Sequence, residues 1–455
     1  MRLFGAFGVL VAAAGCGGTA SVKQAAAPPC ETRVPAVHPA DTLTVVVFDK
    51  IDPAHAPWPR NREERFVFSH LYETLVKVDC RGVVQPGLAK SWKKASDGWY
   101  IELQEDAHFW DDTMVTAADV EASFEPAIKA GLVIGPVDVV DETHAIIHGN
   151  FDVKLLALPM LSVRKESTSG ISLGTGAWMI DSASTTEGIV MHPAAGRDPV
   201  VRVMQEDPAD ATDILSGSAD AMITDNAAVI DYAHTKGKAA VVPLMWDKAY
   251  VLIDPMRVAI MTEVPPELPE SVRNSLARDA VPVDARGGTS ILDKSTMDDP
   301  LGSYEPIHGA SASSQLVYIA SDPTARALAE RIVALAGMDT TSSSDARAVR
   351  RAMPGIANGT RAIGLPSDQF ANRLQSRPAS ASFVVSLSWH ADFPLLASYF
   401  HEHAPWLTGV TAASGALIPL VETRPHFIAM SDRISYVDDK NGTVRIMPPG
   451  AERVR

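Results

Sequence analysis

The residues best suited to chemistry lie towards the C-terminus, where Ser388-Trp389-His390-Ala391-Asp392-Phe393-Pro394 is followed by His401 and His403. His390, Asp392, His401 and His403 offer nitrogen and oxygen ligands of the kind that transition metals take. The run His401-Glu402-His403 does not place both imidazoles on one helical face, although its alternation suits a strand. No His-Glu-x-x-His run and no paired-cysteine spacing accompanies them, so they are read as exposed histidines and no metal is assigned. A second motif, Gly170-Ile171-Ser172-Leu173-Gly174, has the letters of a nucleophile elbow. That motif needs a strand before it and a helix after it, and Thr175-Gly176 follows instead. No catalytic residue and no cofactor is assigned, and the chain reads as a non-enzyme.

The remaining reactive groups are Cys16, Cys30 and Cys80. Arg2 precedes an apolar run from Leu3 to Ala14 that is too short to span a bilayer as a mature helix, so residues 1–15 read as an export signal. Ala13-Ala14-Gly15-Cys16 resembles a lipobox, in which the cysteine is acylated and becomes the new N-terminus. An ordinary cut after Ala14, releasing a soluble product, is the alternative. Lipidation of Cys16 leaves Cys30 and Cys80 as an even pair in an oxidising compartment, and a disulfide between them is expected, two separate thiols with Cys30 in a mobile tether being the alternative. Closing a loop of about 50 residues stabilises a fold by about 4 kcal/mol in the chain-entropy model. The expected location is periplasmic or cell-surface, with the chain anchored to the membrane through Cys16.

These groups need a scaffold, and 455 residues exceed one ordinary core, so two or three lobes are expected. An apolar content of 46% excludes a largely disordered chain. A net charge of -15 disfavours nucleic acid as a partner and suits a soluble body that receives neutral or cationic ligands. Residues 17–40, rich in Ala, Gly, Pro and Thr without periodicity, read as a flexible tether. Thr42 to Phe48 has the length of a buried strand and Glu64 to Val76 reads as a helix. Ala89 to Lys94 and Trp99 to Leu103 form a hairpin about Ser96-Asp97-Gly98, and Thr116 with Asp119 fits a capping box opening a helix through Phe124. Val200 to Gln205, a helix capped by Asp207 and ended by Gly217, and Ala221 to Thr224 make a βαβ unit, which implies a parallel sheet. Gln315 to Ala320 is a strand, and the helix after Asp322-Pro323 places Leu328, Ile332 and Leu335 on one face. Ser380 to Leu387 leads a strand into the Trp389 segment, and a final hairpin turns at Asn441-Gly442.

The stretch Pro86 to Phe124 carries the most specific pattern: Ser91-Trp92, Asp97-Gly98, Phe109-Trp110-Asp111-Asp112 and Thr116-Ala117-Ala118-Asp119-Val120. It resembles the extracellular solute-binding proteins of family 5, the oligopeptide-, dipeptide- and nickel-binding components of ABC importers. Ile51-Asp52-Pro53, His70 to Leu75, Gly174-Thr175-Gly176-Ala177-Trp178 and Val272 to Leu276 are similar to further family segments. Asp112 stands where the family has glycine; Asp is among the few residues that tolerate a left-handed backbone. The resemblance implies an α/β, two-lobed periplasmic-binding-protein fold of the peptide-binding class with a small extra domain. Its expected division is 41–72, 174–260 and 416–455 in lobe I, 73–173 in the extra domain and 261–415 in a shortened lobe II, with 16–40 the lipid-anchored tether.

Carried over to Trp389-His390-Ala391-Asp392, the resemblance implies that Asp392 receives a ligand's ammonium and Trp389 forms a pocket wall. Main-chain groups of Ser388, His390 and Ala391 would bond the ligand backbone as an added strand does. A buried carboxylate is costly unless paired, so Asp392 should meet a cation or backbone donors; an Asp capping the strand end and facing water is the alternative. Two features depart from the family. Pro57, in the segment Ala54-His55-Ala56-Pro57 that should oppose the ligand, cannot donate a hydrogen bond, and only Leu395 to Gly415 separate the Asp motif from the closing strand. The expected function is capture of a peptide or other small amine-bearing solute by hinge closure, and its delivery to ABC permease subunits. A surface lipoprotein that keeps the scaffold as a sensor or interaction module is the alternative.

Overall fold

The computed structural model describes residues 29–129, 134–167, 171–180, 184, 188–196, 199–207, 210–217, 219–237, 239–254, 268–278, 280–282, 286–287, 313–341, 343–376, 381–388 and 417–448. The chain begins with β1 (Thr32–Val34), β2 (Thr42–Val47) and α1 (Arg62–Leu71). There follow β3 (Val76–Val78), β4 (Val84–Pro86), β5 (Ala89–Ala95), β6 (Gly98–Leu103), α2 (Ala117–Lys129), β7 (Val137–Val139) and β8 (His144–His148). Next come β9 (Trp178–Ile180), β10 (Gly188–Pro193), β11 (Val200–Gln205), α3 (Ala211–Ile214), β12 (Ala221–Thr224), α4 (Ala227–Lys236) and β13 (Ala240–Pro243). Then run β14 (Lys248–Ile253), α5 (Glu270–Ala277), β15 (Arg286–Gly287), β16 (Ser313–Ile319), α6 (Pro323–Gly337), α7 (Ser344–Ala352), β17 (Ile356–Leu365), α8 (Ser367–Gln375) and β18 (Ala381–Ser388). The last strands are β19 (Leu417–Thr423), β20 (His426–Ala429), β21 (Tyr436–Asp438) and β22 (Val444–Ile446).

Two large mixed sheets organise the chain. The first has the order β13-β20-β12-β2-β11-β10-β9, with β2 parallel to both β11 and β12. Period-two alternation explains why β2 is central: Leu43, Val45 and Val47 face α1 through Phe66, Val67 and Leu71, while Val46 and Phe48 face Val229, Ile230 and Ala233 of α4. The second sheet has the order β15-β19-β14-β18-β16-β17. One face is covered by α6, whose Leu328, Ile332 and Leu335 pack on Leu252, Leu316, Val384 and Ile418. Asp322 starts this helix by accepting from the Ala325 N–H (2.9 Å), and Pro323 occupies the first turn, where a missing N–H costs nothing. Each sheet with its helices makes a lobe.

A third, smaller body is built on the sheet β5-β6-β8-β7 and α2. The β5–β6 turn ends at Gly98, with φ 132°, and Asp112 has φ 61°, the left-handed backbone that glycine would otherwise supply. The capping box closes in both directions: the Thr116 N–H donates to Asp119 Oδ2 (2.8 Å), and the Asp119 N–H donates to Thr116 Oγ1 (3.4 Å).

Three expectations change. The helix expected over 64–76 ends at Leu71, because Tyr72 is extended and Glu73 bridges to Val163. Residues 30–40 are not a free tether, since β1 pairs with β21, the Val37 N–H donates to the Asp432 carbonyl (2.7 Å) and Cys30 is disulfide-bonded to Cys80. Finally, β14 and β19, assigned by sequence to lobe I, lie in the second sheet, so the chain changes lobe at 244–247 and 424–425, not at 260 and 416. The buried run Ala249 to Ile253 continues the apolar tract Val241 to Leu244, and nothing apolar or polar in composition marks the change except Asp247 and Lys248. Among the described residues no helix is long and apolar enough to cross a membrane.

Candidate functional site at the junction of the lobes

Among the described residues two short segments join the lobes: Leu244 to Asp247, between β13 and β14, and Arg424-Pro425, between β19 and β20. They run side by side. The Leu244 N–H donates to the Pro425 carbonyl and the Asp247 N–H to the Thr423 carbonyl, both at 2.9 Å. The Arg424 guanidinium lies 4.6 Å from the centroid of the Trp246 ring, a cation–π contact that stacks one crossing on the other. A pair of short crossings is the geometry about which two lobes rotate with few backbone changes.

Beside the crossings lies a network of charges drawn from both lobes. Arg62, in the first turn of α1, directs Nη1 to Asp225 Oδ2 at 2.6 Å and donates from Nε to Glu63 Oε1 at 2.9 Å. Asp247 and Asp49 lie 3.6 and 3.8 Å from the same guanidinium, and Arg65 reaches Asp247 at 3.6 Å. Lys248, the first residue of the second lobe's β14, donates to the same Asp225 Oδ2 at 3.0 Å. Asp225, at the exit of β12, therefore joins a cation of the first lobe to a cation of the second. Further into the second lobe, Tyr250 Oη donates to Asp322, the cap of α6, at 3.2 Å.

Burial sets the energetics. The Arg62 side chain is 8% exposed and Asp225 31% exposed, so the pair is sheltered on one side and wetted on the other. Burial opposes ionisation of Asp225, yet the charges of Arg62 and Lys248 outweigh it and hold the carboxyl well below its ordinary range. Lys248 is likewise raised, because Asp225 outweighs its burial. Glu63 is the exception: burial pushes its carboxyl up to about 7, against the pull of Arg62, and its Oε2 has no hydrogen-bond partner among the described residues.

The neighbouring loop 52–60 is stitched by Glu64, whose Oε1 accepts from the Asp52 N–H (3.0 Å) and whose Oε2 accepts from the Arg60 N–H (2.6 Å). His55 Nδ1 lies 2.7 Å from the same carboxylate. The Ala54 to Pro57 segment is thus no extended strand: Pro53–His55 is a 3-10 turn capped by Asp52. At the other end of α1, Gly174 and Gly176 lie against its last carbonyls; a Cβ on Gly176 would stand 2.2 Å from the His70 oxygen. His70 is buried, its Nδ1 bonded to the Phe66 carbonyl (2.7 Å) and its Nε2 accepting from the Ile446 N–H (2.8 Å). Burial lowers its pKa to about 4, so it is neutral.

Of the residues proposed from sequence, Ser388 ends β18, paired in register with Lys248, so the strand leading to the Trp389 segment finishes beside the charge network. Trp389, His390, Ala391 and Asp392 lie outside the described residues, as do His401, His403 and Cys16. No group of three metal-ligating side chains occurs among the described residues. Arg62, Asp225, Asp247 and Lys248 were not singled out from sequence. The available signal was Asp247-Lys248 placed directly before a wholly apolar strand, since charges at the mouth of a buried strand need partners.

No protein-family model matches the sequence, and no curated protein matches it. Solved structures do. NikA from Brucella suis, in complex with Fe(III)-EDTA, superposes with a TM-score of 0.60 at 16% identity over 86% of this chain and 95% of that one. The ABC transporter substrate binding protein CtaP from Listeria monocytogenes gives 0.61 at 10% identity, over 90% and 100%. NikZ from Campylobacter jejuni, in complex with Ni(L-His), gives 0.55 at 15% identity, over 86% and 94%. The fold is the two-lobed one of periplasmic binding proteins. In a periplasmic-binding-protein fold the paired crossings are the interlobe connections, and the network of Arg62, Asp225 and Lys248 lies at their side.

Proposed function

We propose that this chain is the substrate-binding component of an ABC-type importer, exported and tethered by a lipidated Cys16, and that it captures a peptide or other small amine-bearing solute between its lobes. The observation that carries this reading is the pair of antiparallel crossings, with charges from both lobes meeting on Asp225. Closure about those crossings buries a solute, and only the closed form then suits the permease. Asp392 receives the solute's ammonium and Trp389 walls the pocket, with main-chain groups of Ser388 to Ala391 completing the contacts. An overall charge of -15 favours a cationic or zwitterionic solute over an anionic one.

A second reading, capture of a metal complex, is favoured by the like-folded proteins whose structures hold Fe(III)-EDTA and Ni(L-His). One screen separates the two. Thermal unfolding is followed with tri-alanine, with a polyamine and with nickel plus L-histidine, each in large excess. A ligand at about 100 times its Kd stabilises by about 2.7 kcal/mol, which is a visible rise in Tm. A rise with tri-alanine or the polyamine that is lost in Asp392→Asn supports the amine reading. A rise with nickel–histidine alone that is lost in His390→Ala supports the metal reading. No rise with any of the three argues for a scaffold acting as a sensor or interaction module.

A further inference from the structure

The C-terminal hairpin does more than complete the first lobe. Its turn, between β21 and β22, is organised by Asp439, whose Oδ1 accepts from the Asn441 N–H (3.2 Å) and the Thr443 N–H (2.8 Å). The tip of the turn then makes two contacts with other bodies. The Gly442 carbonyl accepts from the Met245 N–H at 2.9 Å, inside the first interlobe crossing. Asn441 Nδ2 donates to the Val78 carbonyl at 2.6 Å, on β3. Gly442 has φ 97°, and a Cβ there would stand 2.4 Å from the Met245 nitrogen and 2.7 Å from the Leu244 carbonyl carbon. Only glycine allows the turn to lie this close to the crossing.

The same hairpin is held from its other edge. β21 pairs with β1, Thr32 opposite Asp438, and Arg445 of β22 reaches Glu31 at 3.3 Å. Cys30, two residues before β1, is bonded to Cys80 in the β3–β4 turn. That turn is itself fixed by Asp79, whose Oδ1 accepts from the Arg81 N–H (2.9 Å) and the Val83 N–H (3.0 Å). A closed ring results: β1, the hairpin, β3 with its turn, and back through the disulfide to β1. The Met245 amide is the point at which this ring holds the crossing.

We propose that this ring is a brace on the interlobe crossing Leu244 to Asp247, and that the Cys30–Cys80 bond sets its stiffness. Rotation of Met245 must either lengthen its bond to Gly442 or carry the hairpin along, and the hairpin is tied to β3 on one side and to β1 on the other. The covalent link keeps those two sides from separating, so both contacts of the turn act together. The brace also connects the N-terminal segment, the proposed tether, to the proposed movement of the lobes. Its functional meaning rests on the interlobe movement proposed above, but its test needs no ligand.

Hydrogen–deuterium exchange of the full chain, read by mass spectrometry, compares the wild type with Cys30→Ser/Cys80→Ser and with Asn441→Ala. The expected result is faster exchange over 244–247, by about tenfold in the double serine variant and by less in Asn441→Ala, with β2 and β12 unchanged, the pattern of local opening. Unchanged exchange over 244–247 in both variants overturns the brace, and so does an equal rise through β2 and β12, which reports general loosening. If the double serine variant does not fold, Asn441→Ala alone decides, since it leaves every covalent bond in place. A failed brace with a positive ligand screen leaves the solute-binding reading standing.

Discussion

Replacing Arg62 by methionine keeps an unbranched apolar stem and removes the guanidinium with its charge. Asp225, Asp247 and Glu63 then lose a guanidinium that lies 2.6, 3.6 and 2.9 Å away. Breaking a buried pair by removing one partner costs about 3–5 kcal/mol, because the remaining charge is uncompensated. Asp225→Asn takes the carboxylate from both Arg62 and Lys248, yet should cost less, about 1–2 kcal/mol, because Arg62 keeps Glu63 and Asp247 and because Lys248 and Asp225 are 24% and 31% exposed to water that offsets part of the loss. In the double variant the two losses overlap, giving a coupling of about 1–2 kcal/mol. Urea unfolding of the four proteins at pH 7.5 and low salt, followed by circular dichroism, measures each midpoint. A coupling below about 0.5 kcal/mol would refute the claim that this pair, both of whose members belong to the first lobe, sits in a sheltered site, and would reduce it to a surface contact.

Three further outcomes follow from the same geometry. His70, with a folded pKa of about 4 against 6.5 unfolded, contributes stability that is present above pH 6.5 and lost as pH falls towards 4. His70→Gln should flatten that part of a stability-versus-pH curve, and an unchanged slope would contradict the buried, neutral assignment. Glu63 has the opposite sign: with its carboxyl raised to about 7, stability is greatest below about pH 4.5 and falls as pH rises through 7. Glu63→Gln should therefore gain on the wild type between pH 5 and 8, and a loss that grows with pH would show the carboxylate to be needed ionised. Gly176→Ala would set a Cβ 2.2 Å from the His70 carbonyl and should cost about 1–3 kcal/mol of thermal stability; a neutral effect would mean that α1 and the Gly174–Gly176 turn are not in contact.

What could be read from sequence was local. The β5–β6 turn, the capping box of Thr116 and Asp119 and the left-handed Asp112 each depend on residues within a few positions of one another, and each stands where the pattern placed it. The helix α6 was legible for the same reason, with its Asp322 cap and Pro323 adjacent to an amphipathic run. The N-terminal strand β1 was not, because Thr32-Arg33-Val34 carries no alternation and its ladder partner lies at the opposite end of the chain. The charge network was illegible for a related reason: Arg62, Asp225 and Lys248 come from three distant segments, and only folding makes them neighbours. The lobe boundary failed because β13 and β14 form one apolar tract interrupted by a polar step that resembles an ordinary loop.

In the proposed mode of action a solute draws the two lobes together about the crossings at 244–247 and 424–425. Small-angle X-ray scattering, with and without whichever of tri-alanine, the polyamine or nickel–histidine raises the melting temperature, decides whether it does. Closure about the crossings gives a smaller radius of gyration with the bound solute. A solute that raises the melting temperature while leaving the radius unchanged would contradict closure as the mechanism of capture.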